Sequence, residues 1–532
     1  MKHPVLRITA IFLFIVTCAI VVWQRDSVLA QMTDRTQNPN LANFGIAKSL
    51  AEQIGAGTGN WSTPDSSSFV IARDPFRAIR RGRQLFQRKF LRSQGNGPLA
   101  NDGVGNINTH LGLGAGLSDS CAGCHGRPRG AAGSGGDVVT RPDSRDAPHL
   151  FGLGLKEMLG DEITSDLRAI RSQALKEWQA TQRSVTRTLE SKGINFGTIT
   201  VLDNGQIDTS QVRGVNPDLR VHPFFAHGGK ISIREFLVGA FNDEMGLQSV
   251  DPELMRAHNG ARITTLSGMV LDGSTDRIEA PPTDVVTDDP DRDGVTNEIP
   301  ASLVDYMEFY LLNDFKPALY RQTRETDQGK RLFTQAGCIG CHIADLQINH
   351  DRRVADVETV FDQDRGIFNN LFATASPLFN TVDDHLGFPA VKEPRLEPFL
   401  VKSIFTDFKR HDLGPGFYER DFDGTIRSEF MTTPLWGVGS TGPYGHDGRS
   451  INLMEVIMRH GGEAQAAQRA FANMSSEQQL RIIAFLNSLV LFPPDDTASN
   501  LDPGNRNAFN FPQFGHGSIK LSTLFNNPND PE

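Results

Sequence analysis

Apolar residues recur at helical spacing in several stretches of the chain, which predicts a mainly α fold with long loops and little β. The first apolar stripe lies among arginines and lysines between Pro75 and Leu91 and comprises Phe76, Ile79, Leu85, Phe86 and Phe90. Further segments follow in chain order, with helices expected over 160–192, 231–241 and 450–460 and a short hairpin or loop over 194–215. Gly- and Asn-rich stretches between these segments predict loops.

The N-terminus carries an apolar run of a different kind. Lys2 and Arg7 precede it, and a small-residue motif typical of signal cleavage sites ends at Ala30. The run is slightly short for a helix that crosses a membrane. We therefore expect residues 1–30 to be a cleaved signal peptide or a retained N-terminal anchor. Both alternatives place the protein outside the cytoplasm, in the periplasm or another exported location.

Length and composition limit the classes of function. The 532 residues are more than one small domain needs and predict two or three domains. Hydrophobic residues make up 38% and charged residues 22%, which is ordinary for a soluble globular protein. The formal net charge is −10 and the sequence has no basic stripe, so we expect no nucleic-acid partner.

The cysteines carry the clearest chemical signal. One of the five, Cys18, lies in the N-terminal apolar run, and the other four form the motifs CAGCH and CIGCH. A CxxCH motif attaches c-type haem, because two thiols form thioethers with the porphyrin and the adjacent histidine binds the iron. A zinc or redox CxxC site is the alternative, but two copies favour two c-type haems. The attachment residues are Cys121, Cys124 and His125 in the first motif and Cys338, Cys341 and His342 in the second.

A short internal duplication precedes the two motifs. Residues 82–86 read GRQLF, and residues 329–333 read GKRLF. Two similar units predict two cytochrome c-like haem domains. An acidic, turn-rich stretch suggests the boundary between them. The expected organisation after residue 30 is a lead-in at 31–74, an N-terminal haem domain with insertions at 75–290, a C-terminal haem domain at 291–492 and a tail at 493–532.

The second axial ligand of each iron decides whether a haem carries electrons or binds a substrate. The best candidate is His460, in the last turn of a predicted helix that ends at two glycines. The alternative is a C-terminal histidine favoured by the helix dipole. Met454 and Met458 are more typical of core positions. His446 is a turn residue, suited either to a haem propionate contact or to a structural role.

Several motifs resemble those of known di-haem proteins. Residues 433–437 (TPLWG) and 442–448 (GPYGHDG) resemble the bacterial di-haem cytochrome c peroxidase superfamily. A closer resemblance, to the di-haem oxidoreductase family within that superfamily, covers about residues 75–491. It rests on residues 152–157 (GLGLKE), 239–247 (GAFNDEMGL), 410–416 (RHDLGPG) and 460–464 (HGGEA).

The resemblance implies a division of labour between the haems. His460 falls where the peroxidases place the distal ligand of their C-terminal haem, which implies bis-histidine ligation and an electron-relay role there. The N-terminal haem would then be catalytic. Glu157 is our candidate for its distal acid, with an exposed helix glutamate as the alternative reading and Arg145 and His149 as other candidates. Trp436 replaces the arginine that usually contacts a propionate.

An acidic loop adds a possible second cofactor. Asp289, Asp291 and Asp293 alternate before Gly294, as in the first part of a calcium loop. Pro300 stands where an EF-hand has its final glutamate, so a plain acidic turn is the alternative.

The sequence thus predicts an exported di-haem oxidoreductase, peroxidase-like, that acts on hydrogen peroxide or a small-molecule substrate. We expect its electron donor to be a small redox protein or another donor. The alternatives are a di-haem electron-transfer cytochrome without catalysis and an oxygenase on the same scaffold.

Overall fold

The computed structural model describes residues 49–97, 118–125, 146–314, 318–319, 322–361, 371–420 and 424–490. The predicted signal or anchor, Arg145 and the tail lie outside these residues, as does the first part of the lead-in, residues 31–48. Among the described residues, no helix combines the length and apolar character needed to cross a membrane.

The fold is mixed rather than mainly α, so the expectation of a mainly α protein with little β is wrong. Helix makes up 38% and strand 17% of the structure, and the strands form several small antiparallel sheets. The cytochrome c-like character of the two expected domains stays a prediction. Most sheets have two short strands, and such short strands leave little periodic pattern in a sequence.

The α-helices of the described residues are distributed along the whole chain. In chain order they are α1 (Leu50–Ile54), α2 (Ser67–Arg73), α3 (Pro75–Gln87), α4 (Cys121–His125), α5 (Leu153–Thr181), α6 (Ile233–Met245), α7 (Pro252–His258), α8 (Ala301–Leu312), α9 (Arg324–Gln335), α10 (Leu453–Arg459), α11 (Gln465–Ala472) and α12 (Ser476–Asn487).

One sheet has three strands, in the order β1 (Val185–Ser191), β2 (Ile194–Val201) and β3 (Ile207–Asp208). The other sheets are antiparallel pairs. They are β4 (Arg262–Thr264) with β5 (Val270–Asp272), β6 (Ala318–Leu319) with β17 (Leu489–Val490), β7 (Leu346–Ile348) with β12 (Phe399–Val401), β8 (Ala355–Phe361) with β9 (Leu371–Pro377), β10 (Phe379–Val382) with β11 (Val391–Pro394), β13 (Arg410–Asp412) with β16 (Glu429–Met431), and β14 (Glu419–Arg420) with β15 (Ile426–Arg427).

The long helix predicted over 160–192 is displaced in the structure. Helix α5 begins at Leu153 and ends at Thr181, and strand β1 occupies the last part of the predicted span. Strands β1 and β2 are joined by Lys192 and Gly193, which have φ angles of 51° and 76°. Two left-handed residues match the twist of a hairpin. This turn lies at the end of the span predicted as helix. The hairpin or loop expected over 194–215 is confirmed by the antiparallel pairing of β2 with β3.

Two large cores and one small cluster, formed by Ala174, Val185 and Val201, stabilise the described residues. The larger one extends from Val70 to Trp436 and includes much of α3, α5, α6 and α8. The smaller one joins α9 and α12 around Phe333, Phe405 and Phe485. Helix α8, assigned from sequence to the second domain, packs against α3. The boundary near residue 290 stays a prediction.

The internal duplication corresponds to two helix pairs with the same contacts. Helix α3 packs against α8, and a β-carbon on Gly82 would overlap the carbonyl oxygen of Tyr306. One turn later, Phe86 and Tyr310 are in ring contact at 5.8 Å. The motif Gly-x-x-x-Phe thus lets two helices approach closely and then fills the next turn with an aromatic pair.

The second copy repeats this arrangement between α9 and α12. A β-carbon on Gly329 would overlap the carbonyl oxygen of Arg481, and the rings of Phe333 and Phe485 lie 5.6 Å apart. Capping boxes at Thr323 and Ser475 define the first turns of the two helices. The repeated glycine and phenylalanine are therefore packing positions, and each pair lies close to one CxxCH motif.

Candidate functional site

The first CxxCH motif lies on a short helix of its own. Helix α4 consists of the five motif residues, and the hydroxyl of Ser120 accepts a hydrogen bond from the amide of Gly123. His125 Nδ1 lies 2.7 Å from the carbonyl oxygen of Pro148. Its partner comes from the segment before α5, so the histidine is oriented by a contact distant in sequence.

The second motif has the same kind of support. Cys338–Gly340 forms a 3₁₀ turn directly after α9, and the amide of His342 donates to the carbonyl of Cys338 at 3.0 Å. His342 Nδ1 lies 2.9 Å from the carbonyl oxygen of Phe405. The Phe333 ring of the duplicated motif lies 6.1 Å from the imidazole.

These hydrogen bonds determine which imidazole nitrogen is free for a metal. A carbonyl oxygen can only accept, so Nδ1 of His125 and of His342 must carry the proton. Nε2 then presents a lone pair, as an iron ligand requires. Burial lowers the pKa of both side chains to about 4, despite the opposing hydrogen bonds, which keeps them neutral near pH 7.

The cysteines also suit covalent haem attachment. All four motif cysteines are free of disulfides. Burial raises the pKa of Cys121 to about 12 and that of Cys338 to about 11, so both are thiols near neutral pH. Free cysteines next to a histidine that presents a lone pair at Nε2 are the groups that attachment of a c-type haem requires.

His460 lies close to the second motif, as the sequence suggested. It follows α10 directly, and its Nδ1 lies 2.6 Å from the carbonyl oxygen of Val456. Nδ1 is therefore the protonated nitrogen here too, and Nε2 carries the lone pair. After burial, electrostatic interaction with His460 also lowers the pKa of His342.

Aromatic rings and a second histidine surround His460. The Phe417 ring lies 5.3 Å from it, edge to face, and Arg459 lies over the same ring at 4.1 Å. His446 stacks on Phe430 at 4.0 Å. Its Nε2 lies 2.9 Å from a buried carboxylate oxygen of Glu419. His446 is thus held by neighbouring side chains close to His460.

Near the first motif, a partly buried histidine and a partly buried lysine lie close together. Nδ1 of His149 is buried without a hydrogen-bond partner. The amine of Lys156 packs over the Phe224 ring at 5.5 Å. Burial, followed by the charge of Lys156, lowers the pKa of His149 to about 3, and His125 contributes in the same direction. His149, Lys156 and His125 therefore lie close enough to interact electrostatically.

Glu157, the candidate distal acid, is engaged elsewhere. It is fully buried on α5, where Oε1 accepts the amide of Ile233 at 2.8 Å and Oε2 accepts Arg352 at 2.7 Å. Burial raises its pKa to about 7, although Arg352 opposes the shift. Both oxygens serve contacts that join α5, α6 and the region before β8. A catalytic role for Glu157 stays a prediction, and the expected alternative of an exposed glutamate does not hold.

Trp436 links the two chain segments whose carbonyl groups hold His125 and His342. Its buried ring packs on Gly152, which has a φ of 75° and no room for a side chain. The amide of the preceding residue, Leu435, donates to the carbonyl of Ile404, next to the Phe405 that holds His342. Trp436 thus bridges the segments that orient His125 and His342.

The acidic loop brings its carboxylates together. Single oxygens of Asp289, Asp291 and Asp293 all lie within 4.8 Å of one another. Glu298 is buried beside them, where Oε2 accepts the amide of Gln248 at 2.8 Å and Oε1 has no hydrogen-bond partner among the described residues. Burial and the neighbouring aspartates raise the pKa of Glu298 to about 8.

Comparison with known proteins adds an independent result. Residues 346–489 match the family model described as "Di-haem oxidoreductase, putative peroxidase". The match confirms the resemblance expected from the motifs and covers His411 and His460. The family description indicates an oxidoreductase with two haems. No curated protein sequence matches the chain significantly.

Sequence reasoning missed the groups that orient the predicted ligands. The acceptors for the three histidines are backbone carbonyls, which no residue type reveals. Asp407 was missed as well. It lies 2.9 Å from His411 Nε2, while Glu463 lies 2.8 Å from His411 Nδ1. His411 and Glu463 belong to motifs that carried the resemblance, so their positions were visible in the sequence although their contact was not.

Proposed function

We propose that this protein is an extracytoplasmic, peroxidase-like di-haem oxidoreductase with a C-terminal electron-relay haem and an N-terminal catalytic haem. Bound haem would supply the redox chemistry of its iron. The proposal rests on one observation: three histidines are all protonated at Nδ1. His125, His342 and His460 each donate from Nδ1 to a backbone carbonyl, which leaves Nε2 for a metal.

Within the part of the chain that the structure describes, the two sites differ in the number of such histidines. His342 and His460 would hold the C-terminal haem iron together, which suits electron transfer because no position remains for a substrate. His125 would hold the N-terminal iron. His149, whose buried Nδ1 has no hydrogen-bond partner among the described residues, and Lys156, whose amine packs over the Phe224 ring, both interact electrostatically with this region. These groups are suited to bind hydrogen peroxide or another small polar substrate and to exchange protons with it.

The covalent attachment chemistry supports an exported location. Residues 1–30 have the charge and apolar pattern of a signal peptide or anchor. In the proposed maturation, Cys121, Cys124, Cys338 and Cys341 add their thiols to the porphyrin after export. An electron donor, for example a small redox protein, would then meet the mature protein outside the cytoplasm.

Electron paramagnetic resonance of the ferric protein tests the assignment of the relay haem. We expect a low-spin signal from the haem held by His342 and His460, and a second signal that changes when cyanide is added. Replacing His460 with alanine removes one axial ligand, so this low-spin signal is expected to become high-spin. His385, an exposed surface histidine, provides the control variant His385→Ala.

Two results would contradict the proposal. If the wild-type spectrum contains two low-spin haems and neither responds to cyanide, the protein is an electron carrier without a substrate site. If His460→Ala leaves both signals unchanged, His460 is not an axial ligand. Peroxide turnover compared with oxygen uptake then separates a peroxidase from an oxygenase.

We also propose a calcium ion at the acidic loop. The three aspartate oxygens converge, and the partner-free Oε1 of Glu298 is buried beside them. Asn297 adds a buried amide oxygen, Oδ1, that likewise has no hydrogen-bond partner among the described residues. Several oxygens in a negative, partly buried cluster are the ligands that Ca²⁺ prefers. Glu298 would compensate for the proline that stands at the final position of the loop.

Calorimetric titration of the mature protein with Ca²⁺ measures the affinity of this site for the ion. We expect saturable binding that weakens by roughly tenfold or more in Asp291→Asn and in Glu298→Gln, because each variant removes a negative oxygen ligand. Asp383→Asn, at an exposed aspartate outside the loop, is the control. Unchanged binding in both loop variants, or none in the wild type, would show that the loop is a plain acidic turn.

A further inference from the structure

His411 lies between two carboxylates in a nearly buried position. Its Nε2 is 2.9 Å from Asp407, and its Nδ1 is 2.8 Å from Glu463. Ionised carboxylates only accept hydrogen bonds, so both ring nitrogens must donate and the imidazole must be protonated. Asp407 and His411 are 1% and 6% exposed, which shields this pair from solvent and makes it stronger than a surface ion pair. We call this group of three residues the charged bridge.

One end of the charged bridge is joined to the second CxxCH motif. Asp407 lies two residues after Phe405, whose carbonyl oxygen accepts the hydrogen bond from His342 Nδ1. The sulfur of Cys341 lies within 4.8 Å of the nearest atoms of Asp407 and His411. This end of the bridge therefore contacts the segment that carries the proximal histidine and a thioether cysteine.

The other end holds the turn that carries His460. Glu463 follows His460 by three residues, and its Oε1 also accepts the amide of Asp412 at 3.1 Å. The amide of Gly461 donates to the carbonyl of Leu413 at 2.9 Å. Gly462 has a φ of 48°, and a β-carbon there would overlap the carbonyl of Asp412. The strand and loop at residues 410–416 thus form a close-fitting cradle for residues 460–464.

Arg459, the residue that precedes His460, is also hydrogen-bonded to the 410–416 segment. Arg459 donates from Nε to the carbonyl of Gly416 at 2.9 Å, and it pairs with the buried carboxylate of Asp447. His460 is therefore flanked on both sides by residues bonded to the 410–416 segment. Among the described residues, its own imidazole forms its hydrogen bond with the carbonyl oxygen of Val456 in α10. The direction of the imidazole depends on where the cradle places the turn.

We infer that His411 is a positioning residue for the distal ligand of the C-terminal haem, and that the charged bridge keeps His460 opposite His342. This inference rests on the proposed ligand pair of that haem. The bridge joins the proximal segment at Asp407 to the distal turn at Glu463 through side chains, so the buried cation of His411 helps to fix the spacing between the two imidazoles. Loss of its charge leaves carboxylates without their partner and frees the distal turn to move.

Competition by an added ligand measures how firmly His460 is held. Groups that orient a metal ligand typically change affinity by about 10–100-fold when they are removed. In Glu463→Gln the side chain keeps its shape but loses its charge, and its exposed position makes misfolding a small risk. We expect cyanide to bind the C-terminal haem roughly tenfold more tightly in this variant than in the wild type. His411→Gln is expected to show the larger change and a broadened low-spin signal.

Glu477→Gln is the matched control. It removes the charge of an exposed glutamate that pairs with Arg481 on α12, 2.5 Å away, outside the cradle. His460→Ala is measured in the same experiment. If His460→Ala converts the low-spin signal while Glu463→Gln and His411→Gln match the wild type in cyanide affinity and spectrum, the positioning role is wrong and the ligand assignment stands. If His460→Ala changes nothing, the proposed ligand pair itself fails.

Discussion

Replacing Cys338 and Cys341 with serine is expected to leave one covalently attached haem where the wild type keeps two. A hydroxyl does not form the thioether that a thiol forms with a porphyrin vinyl group, so the second motif loses its covalent links. His342 and His460 alone would hold any remaining haem through coordinate bonds, which acid and acetone break. The haem content after acid–acetone extraction, relative to protein, measures this change. The Cys121→Ser/Cys124→Ser pair is expected to remove the other haem in the same way.

Cys18→Ser is the control for this experiment, because Cys18 lies outside both motifs. The double variants also separate the two haems by spectroscopy. Loss of the second motif is expected to remove the low-spin signal assigned to His342 and His460, while loss of the first is expected to remove the signal that responds to cyanide. Two covalently retained haems in either double variant would refute the attachment sites. Wild-type protein without retained haem would refute the proposed function altogether.

Gly329→Ala is expected to be the most destabilising single-methyl change in the C-terminal core. The added β-carbon overlaps the carbonyl oxygen of Arg481, which is backbone and cannot rotate away. Helices α9 and α12 must then separate, and the contact between Phe333 and Phe485 is lost with them. Overpacking of this kind typically lowers the free energy of unfolding by about 1–3 kcal/mol. Because the clash is with backbone, we expect a loss near the upper end of that range. Chemical denaturation of the mature protein gives the free energy of unfolding.

Gly239→Ala provides the comparison, because Gly239 also lies inside a helix. An added β-carbon there first meets the flexible side chain of Lys230, at 3.5 Å. Alanine stabilises helix interiors over glycine by about 0.5–1 kcal/mol, so this variant is expected to equal or exceed the wild type. Gly82→Ala should resemble Gly329→Ala, since its β-carbon overlaps the carbonyl of Tyr306. Equal stability of the Gly329 and Gly239 variants would show that close helix approach is not required.

The elements with local signals were predictable from the sequence. Helix α3 was expected from about Pro75 to Leu91 and runs from Pro75 to Gln87, because its apolar stripe repeats at helical spacing. The duplicated Gly-x-x-x-Phe motif corresponds to two equivalent helix pairs. The CxxCH motifs and the helix before His460 are likewise defined by neighbouring residues. The resemblance carried by the C-terminal motifs is confirmed by the family match.

The fold class was not predictable in the same way. Short antiparallel pairs such as β13 with β16 join strands far apart in the chain, and each strand has only three residues. A three-residue strand has too few positions to display an alternating pattern. The mixed fold therefore became visible only when the partners of each strand were known.

Glu157 shows how a local pattern leaves a role undecided. Its place after the GLGL motif suggested a distal acid, whereas its contacts to Ile233 and Arg352 make it part of a buried network. Its partner Arg352 is distant in sequence, so neighbouring residues could not reveal the ion pair. The same limit applies to Asp407, which joins the charged bridge from outside any motif.

By itself, the sequence determined the features that depend on local spacing. These are the two CxxCH motifs and the glycines that allow close helix contact. The tertiary structure decided which nitrogen of each histidine is free and which carboxylates surround His411. It also decided that Glu157 is paired with Arg352. The physical reason is that thiol spacing is local, whereas orientation and charge compensation come from hydrogen bonds between segments that only folding brings together.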